Sequence, residues 1–248
     1  MIGLLGSDPC WHGLARQEGL ALESDALGSP ALRVLVVDRE PDAAERRSIA
    51  AFLGRGGAIL ADAGYGRSVL PGLDCREAAV DCLLPDAGPL FAGVGIVELH
   101  TRGWRIAGAR DGRTGGRGAL LELEAGGGRI IVLPFRVARV LADTRAAVRV
   151  FDSAAPRPVY ERVAAVSRGE VRRLVANCWR RLLNEQGLPY VHLSYGPAGT
   201  PGWFGFRVDS DFGDTANILK TVDLARETGI RMSWFLNARA IEPDLSEL

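Results

Sequence analysis

Between positions 33 and 62 the chain reads RVLVVDREPDAAERRSIAAFLGRGGAILAD, and its apolar positions change period twice. The run from Arg33 to Asp38 is continuously apolar and closes on an acid, the pattern of a strand covered on both faces in a parallel sheet. Pro41 suits the first turn of a helix, where its missing amide proton has no partner to lose. Ile49, Phe52 and Leu53 give that helix an apolar stripe opposite Arg46 and Arg47, and Gly54, Gly56 and Gly57 end it. A second apolar run, Ala58 to Ala61, completes a strand, helix, strand crossover that is expected to be right-handed.

From about 91 to 135 the runs shorten and glycine separates them: VGIVELH, WRIAGARD, GALLELEAGGG and RIIVLPF. Leu121 and Leu123 alternate with Glu122 and Glu124, which predicts a strand with one wet face, and Gly126 to Gly128 predicts a β-hairpin. SAAPRP at 153–158 interrupts regular structure. SRGE at 167–170 then has the form of a capping box, ahead of Val171, Leu174, Val175, Cys178 and Leu182 at helical spacing. This helix is expected to pack between two domains or on the second one, with Gly187 and Pro189 closing it. After the loop YGPAGTPG, the segment FGFRVDSDFGDTANILKTVDLARETGIRMSWFLN repeats the crossover. A strand runs to Asp211, a helix turns Ile218, Leu219, Val222 and Ala225 inward and stops at Gly229, and Ile230 to Leu236 is the next strand. The predicted organisation is an α/β domain over 1–150, a helical linker over 151–202 and a third segment over 203–248.

Composition narrows the function classes. With 248 residues, 47% hydrophobic and 24% charged, the chain reads as an ordinary soluble protein with ample core. Its formal net charge of zero gives no bulk attraction to nucleic acid or anionic membrane. Arg168, Arg172, Arg173, Arg180 and Arg181 are read as the wet face of the capped helix. MIGLLGSDPCWHG lacks a basic leader and a long apolar run, so neither a secretory signal nor a membrane span is expected, and the cytoplasm is the expected location. Cys10, Cys75, Cys82 and Cys178 lack C-x-x-C spacing and are expected to be reduced thiols. The glycine runs at 115–118 and 126–128 have no following helix and do not make a nucleotide cradle.

Candidate chemistry concentrates in FGFRVDSDFGD. On a regular strand Asp209 and Asp211 point to the same side, at the carboxyl end where α/β proteins place their sites. Two carboxylates there can divide labour, one holding a metal and the other acting as a base toward its water. The plainer reading is that Asp211 or Asp214 caps the following helix.

The stretch FRVDSDFGD, with its amphipathic helix and TGIRMSWFLN, resembles the opening of the polysaccharide deacetylase (NodB-homology) superfamily. The resemblance implies a distorted (β/α) barrel that removes acyl groups from the amide nitrogens of sugars with a divalent metal, zinc being favoured. It implies an N-acylated sugar or glycan as partner, with Asp209 the catalytic base and Asp211 a metal ligand. Ser210 separates the two where the family commonly has adjacent aspartates, so the roles are exchangeable. The family completes its site with an H-x-x-x-H pair and a later histidine, whereas His12, His100 and His192 all precede the aspartates. The resemblance spans roughly 45 residues. The expectation is therefore the first strands of an incomplete barrel, part of a longer hydrolase, inactive and without tightly held metal on its own.

Residues 31–135, through LVVDREPDAAERRSIAAFLGRGGAILAD and GGGRIIVLPF, resemble a class I glutamine-amidotransferase-like, flavodoxin-like domain. The resemblance places a nucleophilic cysteine on a tight turn where this chain has Tyr65 in DAGYGRS, so a degenerate, non-catalytic domain is implied. A hydrolase using Cys75 is the weaker alternative. The rival from another class is a binding or assembly module in which neither half is catalytic. His100 with Glu98 reads either as half of an acid-base pair or as a solvated strand end, and His192 either as lining the mouth of the barrel or, more plainly, as a packed linker residue.

Overall fold

The computed structural model describes residues 1–107, 120–151, 159–191, 204–210, 214–237, 239 and 242. They divide into two units, 1–193 and 194–248. In the first unit β1 (Ile2–Leu5), β2 (Leu22–Ser24), β3 (Val34–Val37) and β4 (Ala58–Asp62) are parallel neighbours. β5 (Cys75–Leu83) and β6 (Val97–Ile106) form a separate antiparallel pair. β7 (Leu121–Ala125) and β8 (Gly128–Leu133) return to the main sheet, whose order is β2-β1-β3-β4-β8-β7. Only β7 runs antiparallel within it. The two-residue loop Gly126–Gly127 has positive φ at both positions, the backbone a tight hairpin requires.

Alternation explains the layers. Ile2, Leu4, Val34, Val36, Ala58, Leu60, Ile131 and Leu133 belong to one core. It also contains residues of α1 (Pro9–Gln17), as well as Val137 and Val140. Their neighbours Leu5, Leu35, Val37, Ile59, Ala61, Ile130 and Val132 face the other core, which α2 (Ala43–Gly54) and α3 (Ala63–Val69) cover. β1, β3, β4 and β8 are thus apolar on both faces, which is why the sequence shows unbroken runs there. The short helix α4 (Val137–Leu141) follows β8 on the first side. Among the described residues no helix is long and apolar enough to cross a membrane.

Several expectations change. The sheet begins at Ile2, inside the N-terminal stretch that sequence reasoning treated only as a non-signal; Asp8 caps α1 through the Cys10 amide at 2.9 Å, with Pro9 in the first turn. Pro41 lies outside α2, whose N-cap is Asp42, and the reciprocal capping box is Asp42 with Glu45. The SRGE box does not form. Ser167 Oγ accepts the Glu98 amide at 3.1 Å and Glu170 accepts the Gly95 amide at 2.7 Å, so both side chains tie the helix to β6 and the loop before it.

That helix, α5 (Arg168–Glu185), is a core element of the first unit rather than a connector. Val171, Leu174, Val175, Cys178, Trp179 and Leu182 are fully buried in the first core. One face of the sheet needs this long helix because α1 and α4 are too short to cover it. Asn177 donates to the Leu90 and Ala92 carbonyls at 2.9 and 3.0 Å, satisfying a buried amide. Ahead of α5, where a linker was expected, β9 (Ala146–Phe151) and β10 (Val159–Ala164) form an antiparallel pair. The wet face of β7 is also partly covered: Glu122 bonds both Arg129 and Arg181 of α5.

The second unit contains β11 (Phe206–Ser210), α6 (Thr215–Thr228) and β12 (Met232–Leu236), with the strands parallel. Asp214 caps α6 through the Asn217 amide, and Gly229 ends it at φ 69°. Of the inward stripe expected on α6, Ile218 is buried, while Leu219 is exposed.

Candidate functional site

Parallel strands present their carboxyl ends along one edge, and each unit carries acids there. In the second unit Asp209 is the fourth residue of β11, opposite Phe235 of β12. Its side chain is 51% exposed, and Arg207, two residues earlier on the same side of the strand, donates to Asp209 Oδ2 at 2.7 Å. The Arg207 guanidinium also sits 4.9 Å from the centre of the Phe235 ring. Asp211 and His192 lie outside the described residues. Of the two plainer capping candidates, Asp214 makes the cap.

Among the described residues there is no group of three or more His, Cys, Asp or Glu side chains placed to hold a metal. Asp209 contributes one carboxylate, already ion-paired, so these residues do not by themselves fit a divalent metal. His12 lies on α1 with its Nε2 3.2 Å from Ser24 Oγ, and His100 lies on β6.

The first unit gathers a set that sequence reasoning passed over. Asp8 follows β1, Asp38 follows β3, and Asp62 ends β4. Between β1 and β3 the connections leave in opposite directions, to β2 on one side and β4 on the other, and such a switch point opens a crevice in α/β sheets. Asp62 is the most enclosed member, its side chain 5% exposed. Its Oδ1 caps α3 by accepting the Gly64 and Tyr65 amides at 2.8 and 3.1 Å. Burial pushes this carboxyl up to about 6, against the opposing pull of the Tyr65 amide and of Arg136, whose Nε is 3.9 Å from Oδ2.

Burial likewise raises Asp38. The nearby Trp11 indole N–H opposes that shift; the negative charge of Asp8 adds to it and Arg136 counters it. Arg136 stacks over Tyr65 at 4.6 Å and reaches toward Trp104 at 5.7 Å. Gly64 permits that closeness, since a Cβ there would stand 2.5 Å from the Trp104 ring. The arrangement combines carboxylates that accept hydroxyl protons with a guanidinium fixed on two aromatic faces. The signal in the sequence was an aspartate at or just beyond the end of three successive parallel strands.

Neither nucleophile considered for this unit is activated. The Tyr65 phenol is raised by burial, the opposite of what attack at neutral pH requires. Cys75 is buried at the start of β5, donates to the Ala63 carbonyl at 3.4 Å, and has its thiol raised by desolvation. Cys178 in the core is raised in the same way.

No protein-family model and no curated protein matches the chain. Among solved structures it is similar to an exo-β-1,4-mannosidase from Opitutaceae bacterium strain TAV5, at 13% identity and TM-score 0.40 over 56% of this chain and 32% of that one. It is also similar to a β-galactosidase from Bacillus circulans sp. alkalophilus, at 13% identity and TM-score 0.45 over 75% of this chain and 31% of that one. The chain therefore spans about a third of either protein, and similarity at this level carries no argument about activity.

Proposed function

We propose that residues 203–248 are the leading part of a metal-dependent N-deacylase acting on an acylated sugar or glycan. On this reading they follow a flavodoxin-like, amidotransferase-like domain that has no catalysis of its own. The reading rests on Asp209 at the carboxyl end of β11, a strand paired in parallel with β12 and joined to it by a capped helix. A strand, helix, parallel strand unit of this kind suits the opening of a (β/α) barrel, and its acid stands where such barrels place catalytic groups. Asp209 is the proton acceptor and Asp211 a metal ligand, and the protein works in the cytoplasm. The raised Tyr65 phenol and the buried, raised Cys75 thiol favour a non-catalytic first domain.

The test is to read the gene past codon 248 and express the chain with any in-frame continuation. An H-x-x-x-H motif, about one divalent ion per chain and release of acetate from N-acetylglucosamine oligomers are expected. Asp211→Asn should then lose the metal and Asp209→Asn should keep it while losing turnover. A stop codon at that point, or a continuation that binds no metal, refutes the deacylase. A binding or assembly module would then lead, a reading that the exposed apolar side chains Val148, Val150 and Tyr160 on β9 and β10 independently favour.

A further inference from the structure

His100 occupies the left-handed region at φ 42°, one of two described non-glycine residues with positive φ. The cause is a fault in the β5–β6 ladder. Val80 pairs with Thr101 and Cys82 with Glu98, so Asp81 alone faces both Leu99 and His100. This is a β-bulge, a device that re-aims a side chain and concentrates near binding sites. Leu99 is fully buried, while His100 is turned outward with its Nδ1 3.9 Å from Asp81 Oδ1. The bulge is held from the other side: Arg145 Nη2 donates to the His100 carbonyl at 2.8 Å and closes an ion pair with Asp143 at 2.6 Å.

The outward face of this bulge forms one wall of an open cleft of about 550 Å³. Asp81, His100 and Arg102 line it from the β5–β6 pair, and Arg139, Asp143 and Arg145 from α4 and the residues after it. Ala79 and Ala142 also line it. The charges do not cancel internally. Arg145 is matched by Asp143 and Asp81 faces His100, whereas the guanidinium groups of Arg102 and Arg139 make no ion pair or hydrogen bond among the described residues. Two free guanidinium forks beside a carboxylate that accepts hydroxyl protons suit a ligand with an oxyanion at one end and hydroxyls at the other. We propose that this cleft binds a small hydroxylated molecule carrying a phosphate or carboxylate group, held between Arg102 and Arg139, with the His100 bulge shaping the β5–β6 wall beside Arg102. The inference does not depend on the deacylase reading, since the cleft lies wholly within the first unit.

Calorimetric titration of the full chain at low ionic strength tests it, with glucose 6-phosphate, glucuronate and neutral glucose as probes. One or both anionic sugars should bind while glucose does not, and whichever binds tighter identifies the oxyanion. The double variant Arg102→Gln, Arg139→Gln should weaken that binding at least about ten-fold. Both side chains are exposed, and circular dichroism checks that the variant folds. Arg226→Gln, an exposed arginine of the second unit, should leave it unchanged. Absence of binding by either anionic sugar up to about 10 mM overturns the proposal. Equal affinity in the double variant, or an equal loss in Arg226→Gln, overturns it too.

Discussion

The two carboxyl edges of this protein share a local grammar and differ in surroundings. β4 ends in Asp62 and runs into α3; β11 carries Asp209 near its end and runs on toward α6. In the first unit the strand lies inside a six-stranded sheet covered on both faces, and its acid is 5% exposed, hydrogen-bonded and raised to about 6. In the second unit the strand has one described neighbour, and its acid is 51% exposed and tied to Arg207. Strand followed by acid followed by helix is therefore not a site in itself. Burial decides whether the acid becomes a cap with altered proton affinity or stays a solvated carboxylate.

The comparison breaks most visibly if the covering layer is loosened. Trp179 is fully buried on α5 against Trp11, ring centres 6.1 Å apart, in the core that closes one face of the sheet. Trp179→Ala should destabilise the first unit by about 3 kcal/mol, the low end for such a truncation because the buried indole N–H has no partner to lose. Denaturant unfolding measures this, and a loss below about 1 kcal/mol would mean that α5 is not a core element of the first unit.

Next in size is the pH dependence that Asp62 imposes. Its folded value of about 6 exceeds the ordinary carboxylate value, so the folded state holds the proton more tightly than the unfolded chain. Stability from this group is complete below about pH 4 and declines as pH rises through about 6, by on the order of 3 kcal/mol in total. Asp62→Asn keeps a capping oxygen and cannot ionise, so its unfolding free energy should be flatter than wild type across that interval. Parallel curves for the two proteins would show that Asp62 ionises as readily as an exposed acid.

These two residues show what the sequence made legible. The crossovers at 33–62 and 206–236, the Gly126–Gly127 hairpin and the amphipathic α5 follow from local periodicity, which survives folding because it reports which face is buried. The mostly parallel α/β class follows from those same runs. The assignment of α5 to the first core does not, because nothing local in an apolar stripe names the surface it will cover. β1 was missed for a related reason: IGLL is four residues long, too short to show a period, and becomes a strand only through its neighbours β2 and β3. SRGE was misread because Ser167 and Glu170 find better partners on Glu98 and Gly95, residues more than 65 positions away. The acidic set Asp8, Asp38 and Asp62 was overlooked because its members are dispersed in sequence and meet only at the edge of the sheet.

A smaller effect sharpens the contrast between the two caps. Asp214 accepts the Asn217 amide at 3.3 Å on an exposed helix start, where water can replace much of what it provides. Asp214→Ala should cost about 1 kcal/mol, confined to α6, and hydrogen exchange at the Asn217 amide should quicken accordingly. Protection that does not change would mean that the first turn of α6 is held by something other than its cap.

The smallest expected effect on stability belongs to Asp209, the proton acceptor of the proposed deacylase. Asp209→Asn removes one exposed ion pair with Arg207, and exposed pairs of this kind contribute little because water screens them and two long side chains must be held still. Unfolding free energy should move by no more than about 0.5 kcal/mol. In a catalytically complete protein the same change should lower turnover by about a hundred-fold or more, as loss of a general base does. Buried Asp62 reverses the pairing, with a clear effect on stability and none on the deacylation proposed here. If Asp209→Asn destabilised the fold while an active enzyme kept its rate, Asp209 would be a structural acid like Asp62, and the functional distinction between the two edges would collapse.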